Sequence, residues 1–118
     1  MLVRRDTRDK VTVPIDGLSD KIHSLLTTIQ TAMLDRARKF RDDHTLHVNT
    51  QAEFREVLQG RPGFVVAPWC GSTECETKIK SETQATIRNI PLEPAQASGP
   101  CVECGKAGQT DVFFAKAY

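Results

Sequence analysis

Cys70-x4-Cys75 and Cys101-x2-Cys104 are the residues of this chain whose types and spacing could do chemistry, and that chemistry is metal coordination. Two thiolates from one turn and two from a distant turn close around a zinc ion at Zn–S distances of roughly 2.3 Å without straining either loop. In Pro100-Cys101-Val102-Glu103-Cys104-Gly105-Lys106, the glycine after the last cysteine permits the positive φ that turns backbone N–H groups toward sulfur. In the first pair, Gly71, Ser72 and Thr73 read as a loosened loop, and Cys75 falls just before a helix whose N-terminal dipole favours a thiolate. All four positions are cysteine, so no open coordination site remains for a catalytic water, and the metal is expected to be structural.

Two disulfides, or a redox C-x-x-C, are the competing readings. The N-terminus shows no signal-peptide pattern, which leads to the expectation of a cytoplasmic chain in which disulfides seldom persist. A thioredoxin-type motif opens a helix after a strand, whereas Gly105, Lys106, Ala107 and Gly108 read as a turn. Both considerations favour zinc.

A chain of 118 residues forms a small core that gains from such a cross-link. Sixteen basic residues stand against fifteen acidic ones, so net charge gives no argument for nucleic acid. No apolar run approaches the ~20 residues of a membrane span, so no membrane partner is expected. No Gly-rich phosphate loop and no paired carboxylates at strand ends are present. His23, His44 and His47 are scattered, and Ser72 and Thr73 lack a neighbouring histidine, so no catalytic residue is assigned to this chain.

The elements that must position the cysteines follow from periodicity. Residues 1–13 read as two short extended segments around a turn at Asp6-Thr7-Arg8-Asp9, a hairpin too small to stand alone and expected to edge a larger unit. A helix of about 25 residues follows, with Asp16 as N-cap and a stripe of Leu18, Ile22, Leu25, Leu26, Ile29, Met33, Ala37 and Phe40 expected to pack. Its basic end, Arg36, Arg38, Lys39 and Arg41, suits the helix dipole. From His44 onward the pattern predicts strand 46–49, helix 51–59, strand 63–68, helix 75–83, strand 85–90 and strand 111–117. Thr50 and Glu53 form a capping box, Gly60 stops the helix, and Pro68 is read as the end of its strand. Residues 93–100 read as a flexible connection. The fold class is α/β in the α+β two-layer sense: a small mixed β-sheet with helices on one face, in the order β-α-β-α-β-β. An apolar terminal strand ending at Tyr118 is either a sheet edge or a docked terminus.

Ala67-Pro68-Trp69-Cys70-Gly71, Cys75-Glu76, Ile87-Arg88-Asn89-Ile90-Pro91, Cys101-Val102-Glu103-Cys104-Gly105-Lys106 and Phe114-Ala115-Lys116-Ala117-Tyr118 together resemble the C-terminal region of prolyl-tRNA synthetases of the archaeal and eukaryotic-like type. Leu2-Val3-Arg4-Arg5-Asp6-Thr7 and Lys10-Val11-Thr12-Val13-Pro14 extend the resemblance over essentially the whole chain. It implies that residues 1–15 close the anticodon-binding domain, 16–45 form a connector helix and 46–118 form a zinc-binding C-terminal domain. It implies a homodimeric class II parent that uses ATP and Mg²⁺ to make prolyl-adenylate from L-proline and then charges tRNA(Pro). Cys70, Cys75, Cys101 and Cys104 carry over as zinc ligands, and Tyr118 as a terminus whose carboxylate approaches the proline site. Arg4 and Arg5 are the candidate tRNA contacts. Arg8 departs from the family's usual glycine and Asn89 from a further cysteine. A stand-alone zinc-stapled RNA- or protein-binding module is the alternative reading.

Overall fold

A computed structural model describes residues 1–60, 63–93 and 96–116 of the chain, in two compact units that divide at Arg41 and Asp42. Tyr118, and Ala117 at the expected end of the last strand, lie outside the described residues.

In the first unit, strands β1 (Leu2–Val3) and β2 (Lys10–Val11) pair antiparallel, with Leu2 opposite Val11 and Val3 opposite Lys10. The connecting turn is closed by the backbone, Arg4 N–H donating to the Asp9 carbonyl at 2.8 Å and Arg8 N–H to the Arg4 carbonyl at 2.9 Å. Arg8 has φ 68°, in the left-handed region where a Cβ is disfavoured, so glycine is the residue this turn calls for. Helix α1 (Leu18–Asp43) begins with Lys21 N–H donating to the Gly17 carbonyl, which puts the N-cap at Gly17 and not at the expected Asp16. The apolar stripe was expected to be packed; none of the α1 residues is buried. Leu18, Leu25, Ile29 and Ala32 are half-buried.

In the second unit, β3 (Thr45–His47), β4 (Phe64–Trp69), β6 (Thr110–Lys116) and β5 (Ala85–Asn89) form a four-stranded sheet in the order β3-β4-β6-β5. β3 runs parallel to β4, and β6 is antiparallel to both β4 and β5. Helices α2 (Gln51–Gly60) and α3 (Thr73–Thr83) are the crossovers, giving the expected β-α-β-α-β-β order. Alternation along β4 and β6 sends Val65 and Ala67, opposite Phe114 and Val112, to the face that Phe54 and Leu58 of α2 and Ile79 of α3 cover. Phe54 meets Phe114 edge-on, with ring centroids 5.0 Å apart and planes at 79°.

Two sequence expectations change. The capping hydroxyl of Thr50 does accept the Glu53 N–H, at 3.3 Å, but Pro68 does not end its strand. Val66 and Pro68 point their backbone groups away from β6, Val66 accepting from Val48 N–H at 3.0 Å and Pro68 from Val102 N–H at 2.9 Å. By residue 68 the parallel neighbour β3 has stopped, so the proline's missing N–H faces no strand and the β6 ladder loses nothing. Finally, the stretch expected to be a flexible connection is pinned at Ser98, whose N–H donates to Asp111 Oδ1 at 3.0 Å and whose hydroxyl donates to Asn49 Oδ1 at 2.7 Å.

Because Phe54 and Phe114 are the largest fully buried side chains among the described residues, Phe54→Leu is expected to lower unfolding free energy by about 1–2 kcal/mol, measured by urea titration. A loss below a few tenths removes this pair from the centre of the core.

Candidate metal centre

β4 ends by handing the chain to the first cysteine turn, where Trp69 Nε1–H donates to the Ser72 carbonyl at 3.2 Å. Gly71 at φ 84° is called for by its backbone, a conformation that disfavours a side chain. Ser72 then caps α3, its Oγ accepting the Glu74 N–H at 3.2 Å. The helix was expected from residue 75 with a loose loop before it; it starts at Thr73, and Cys75 sits inside its first turn. A serine in a Gly-Ser-Thr run reads as loop and as cap equally well, and the cap wins because it satisfies an otherwise orphaned helical donor.

The second turn is a knuckle closed by Cys101 N–H to the Lys106 carbonyl at 2.8 Å and by Gly105 N–H to the Cys101 carbonyl at 2.9 Å. Gly105 has φ 70°, as the sequence predicts. Val102 fastens the knuckle to the sheet twice, through its N–H to Pro68 and through a side chain buried in the core. Gln109 N–H donates to the Trp69 carbonyl at 2.7 Å, so both turns hang from the last residues of β4.

These anchors bring all four sulfurs together, every pair of Sγ atoms within 4.8 Å. Cys70 Sγ lies 3.6 Å from Cys75 Sγ and 3.8 Å from Cys104 Sγ. A tetrahedral site with metal–sulfur bonds of roughly 2.3 Å has edges of about 3.8 Å, so this spacing fits a four-thiolate ion such as zinc. No disulfide joins any of the four. The donor set is all sulfur and closed, which suits holding a metal in place and leaves no position for activating water.

The thiols differ sharply in environment. Burial, then the adjoining sulfurs, push Cys75 well above the usual thiol range, and burial likewise raises Cys101. Exposed Cys104 is lowered to about 7, chiefly by the backbone N–H of Lys106. A divalent cation overrides this order, because a coordinating thiol is deprotonated outright.

The architecture and the site meet in a known family. A family model described as the C-terminal region of prolyl-tRNA synthetase matches residues 51–118. The chain belongs to this family. Proline-tRNA ligase 2 of Clostridioides difficile is 47% identical over 118 residues, covering 100% of this chain and 24% of the relative. The ligase of Symbiobacterium thermophilum is 44% identical over 125 residues, with 26% of its length covered. The crystal structure of the Cryptosporidium parvum prolyl-tRNA synthetase, complexed with L-proline and AMP, superposes with a TM-score of 0.86 at 28% identity, over 98% of this chain and 25% of that one. The present chain thus spans about a quarter of the length of these relatives.

Within this prolyl-tRNA synthetase C-terminal domain, sequence reasoning missed one group. Glu103, between the cysteines of the knuckle, has a side chain only 3% exposed, beside Lys78 at 2.7 Å and Arg55 at 3.2 Å. Burial pushes its carboxyl up, but Lys78, Gln51 and Arg55 outweigh it and the net shift is downward. Its partners come from α2 and α3, far away in sequence, so no local spacing signals them. Arg4 and Arg5, the sequence candidates for RNA contact, lie in the first unit's turn. Arg4 donates from Nε and Nη2 to Asp6 at 3.1 and 2.8 Å, while Arg5 is exposed.

In the chelator-treated chain, iodoacetamide is expected to modify Cys104 ahead of Cys75 and Cys101, with a rate that climbs as pH rises through about 7. Peptide mapping after a brief pulse reads the order, and equal labelling of the three overturns this ranking.

Proposed function

We propose that the four cysteines hold one structural Zn²⁺ and that the chain is the zinc-bearing C-terminal domain of a proline-tRNA ligase. The observation that carries the reading is that ligases named for this activity match the chain along its entire length at up to 47% identity. In such an enzyme, ATP and Mg²⁺ convert L-proline to prolyl-adenylate and the prolyl group then passes to tRNA(Pro). No catalytic residue for those steps is proposed in the present chain, and Tyr118 is proposed only to bring the C-terminal carboxylate near the proline site.

The role proposed for the chain's own residues is architectural. Cys70 at the end of β4 and Cys75 in α3 meet Cys101 and Cys104 of the knuckle, and zinc would supply a four-way cross-link between them. Residues 1–15 are proposed to complete the anticodon-binding domain, 16–45 to connect, and 46–118 to form the zinc-binding domain. Arg5, exposed in the turn, is the better placed of the two arginines for a phosphate contact, since Arg4 is already engaged by Asp6. The parent is proposed to be a cytoplasmic homodimer. Among the described residues no helix is long and apolar enough to cross a membrane.

Elemental analysis of the purified chain is expected to return about one zinc per chain, and Cys101→Ser is expected to release it and lower the melting temperature sharply. An unchanged melting curve with intact metal removes Cys101 from the ligand set. In the full-length ligase, deleting Tyr118 is expected to impair proline-dependent ATP–pyrophosphate exchange more than tRNA binding. Normal exchange kinetics leave Tyr118 without a role at the proline site.

A further inference from the structure

A metal knuckle needs its cysteines and its turn; it has no need of a buried carboxylate between them. Glu103 supplies one, and both helices answer it. Lys78 Nζ lies 2.7 Å from Oε1 as an ion contact, Arg55 Nη2 lies 3.2 Å from Oε2, and Gln51 Nε2 lies 3.3 Å from Oε2 and 3.2 Å from the Glu103 carbonyl. Arg55 is also paired with Glu82 of α3. Burying an ion is expensive and is tolerated only where several partners compensate it, as they do here.

The placement of those partners is what matters. Lys78 stands three residues after Cys75, one turn along α3 and on the same side of the helix. Glu103 directly precedes Cys104, the exposed cysteine, whose sulfur is met by the backbone N–H of Lys106. The Lys78–Glu103 contact therefore spans the two halves of the centre without using a sulfur. We infer that Glu103 is a positioning residue of the metal centre. Clamped by Lys78, Arg55 and Gln51, it holds the Cys101–Cys104 turn against α3 in the ligating shape and slows metal loss. This rests on the reading of the four cysteines as a zinc site.

The test is zinc transfer from the 118-residue chain to excess chromophoric chelator, below the onset of thermal unfolding. Glu103→Gln, which keeps the shape and removes the charge, is expected to accelerate transfer on the order of tenfold. Lys78→Gln, at a side chain 58% exposed and so safe for folding, is expected to accelerate it as well, and the double variant to be no faster than Glu103→Gln alone. Phe54→Leu, which weakens the core but removes no group that touches Glu103, is expected to accelerate transfer less than Glu103→Gln does. Saturated with Co²⁺, Glu103→Gln should keep the visible bands of a four-thiolate site. Transfer within twofold of wild type for both clamp variants overturns the inference, as do effects that multiply in the double variant or an equal acceleration by Phe54→Leu. A wild-type chain that takes up no zinc overturns the metal reading itself; zinc held by wild type and released at an unchanged rate by the variants overturns the clamp alone.

Discussion

Two cysteine-bearing turns, one at the end of β4 and one on the excursion that follows β5, must come within sulfur contact of each other, and the second unit is arranged around that requirement. Burial pushes Cys75 and Cys101 up, while the exposed Cys104 is lowered, chiefly by the backbone N–H of Lys106. The fold brings the sulfurs together by ordinary means. Pro68 takes the Val102 N–H, Trp69 takes the Gln109 N–H, and Ser72 caps the helix that bears Cys75. A sheet of four short strands with two helices on one face encloses a modest core, and a cross-link at the end of β4 would add to what that core supplies.

Charge enters the same arrangement from the other side. The knuckle carries a buried carboxylate whose cations come from α2 and α3, so the turn is held both by the backbone of β4 and by side chains of the helical layer. The sheet and the helices, which share a hydrophobic core through Phe54, Ile79 and Phe114, therefore share the metal loop as well. The first unit has no such centre. Its turn is held by the Arg4–Asp6 pair and two backbone bonds, and its long helix buries no residue of its own.

What the sequence made legible was whatever is signalled locally. Helix α2 was marked by Thr50 and Glu53, the strands by their apolar runs, and the metal turns by cysteine spacing and by Gly105. Pro68 misled because the rule against proline in a central strand assumes neighbours along the whole strand, and β3 stops two residues before it. The start of α3 was misplaced because Ser72 lies in a run that also suits a loop. Helical periodicity in α1 forecast a packed face but carries no information on what covers it. Glu103 escaped because an ion pair formed across distant elements leaves no spacing to read.

The proline near the end of β4 has a consequence beyond the geometry of the ladder. A strand edge that displays free N–H and C=O groups is a template on which a second molecule can add. Past the end of β3, the outer edge of the central strand has no N–H at Pro68 to display, and its one carbonyl there is already taken by Val102. Upstream, the Val66 carbonyl is taken by Val48. The knuckle thus serves as a lid on the sheet's most central open edge. Peeling it away frees an acceptor but never a donor, so an incoming strand finds only half a ladder, and the domain is guarded against intermolecular pairing where its β-structure is most apolar.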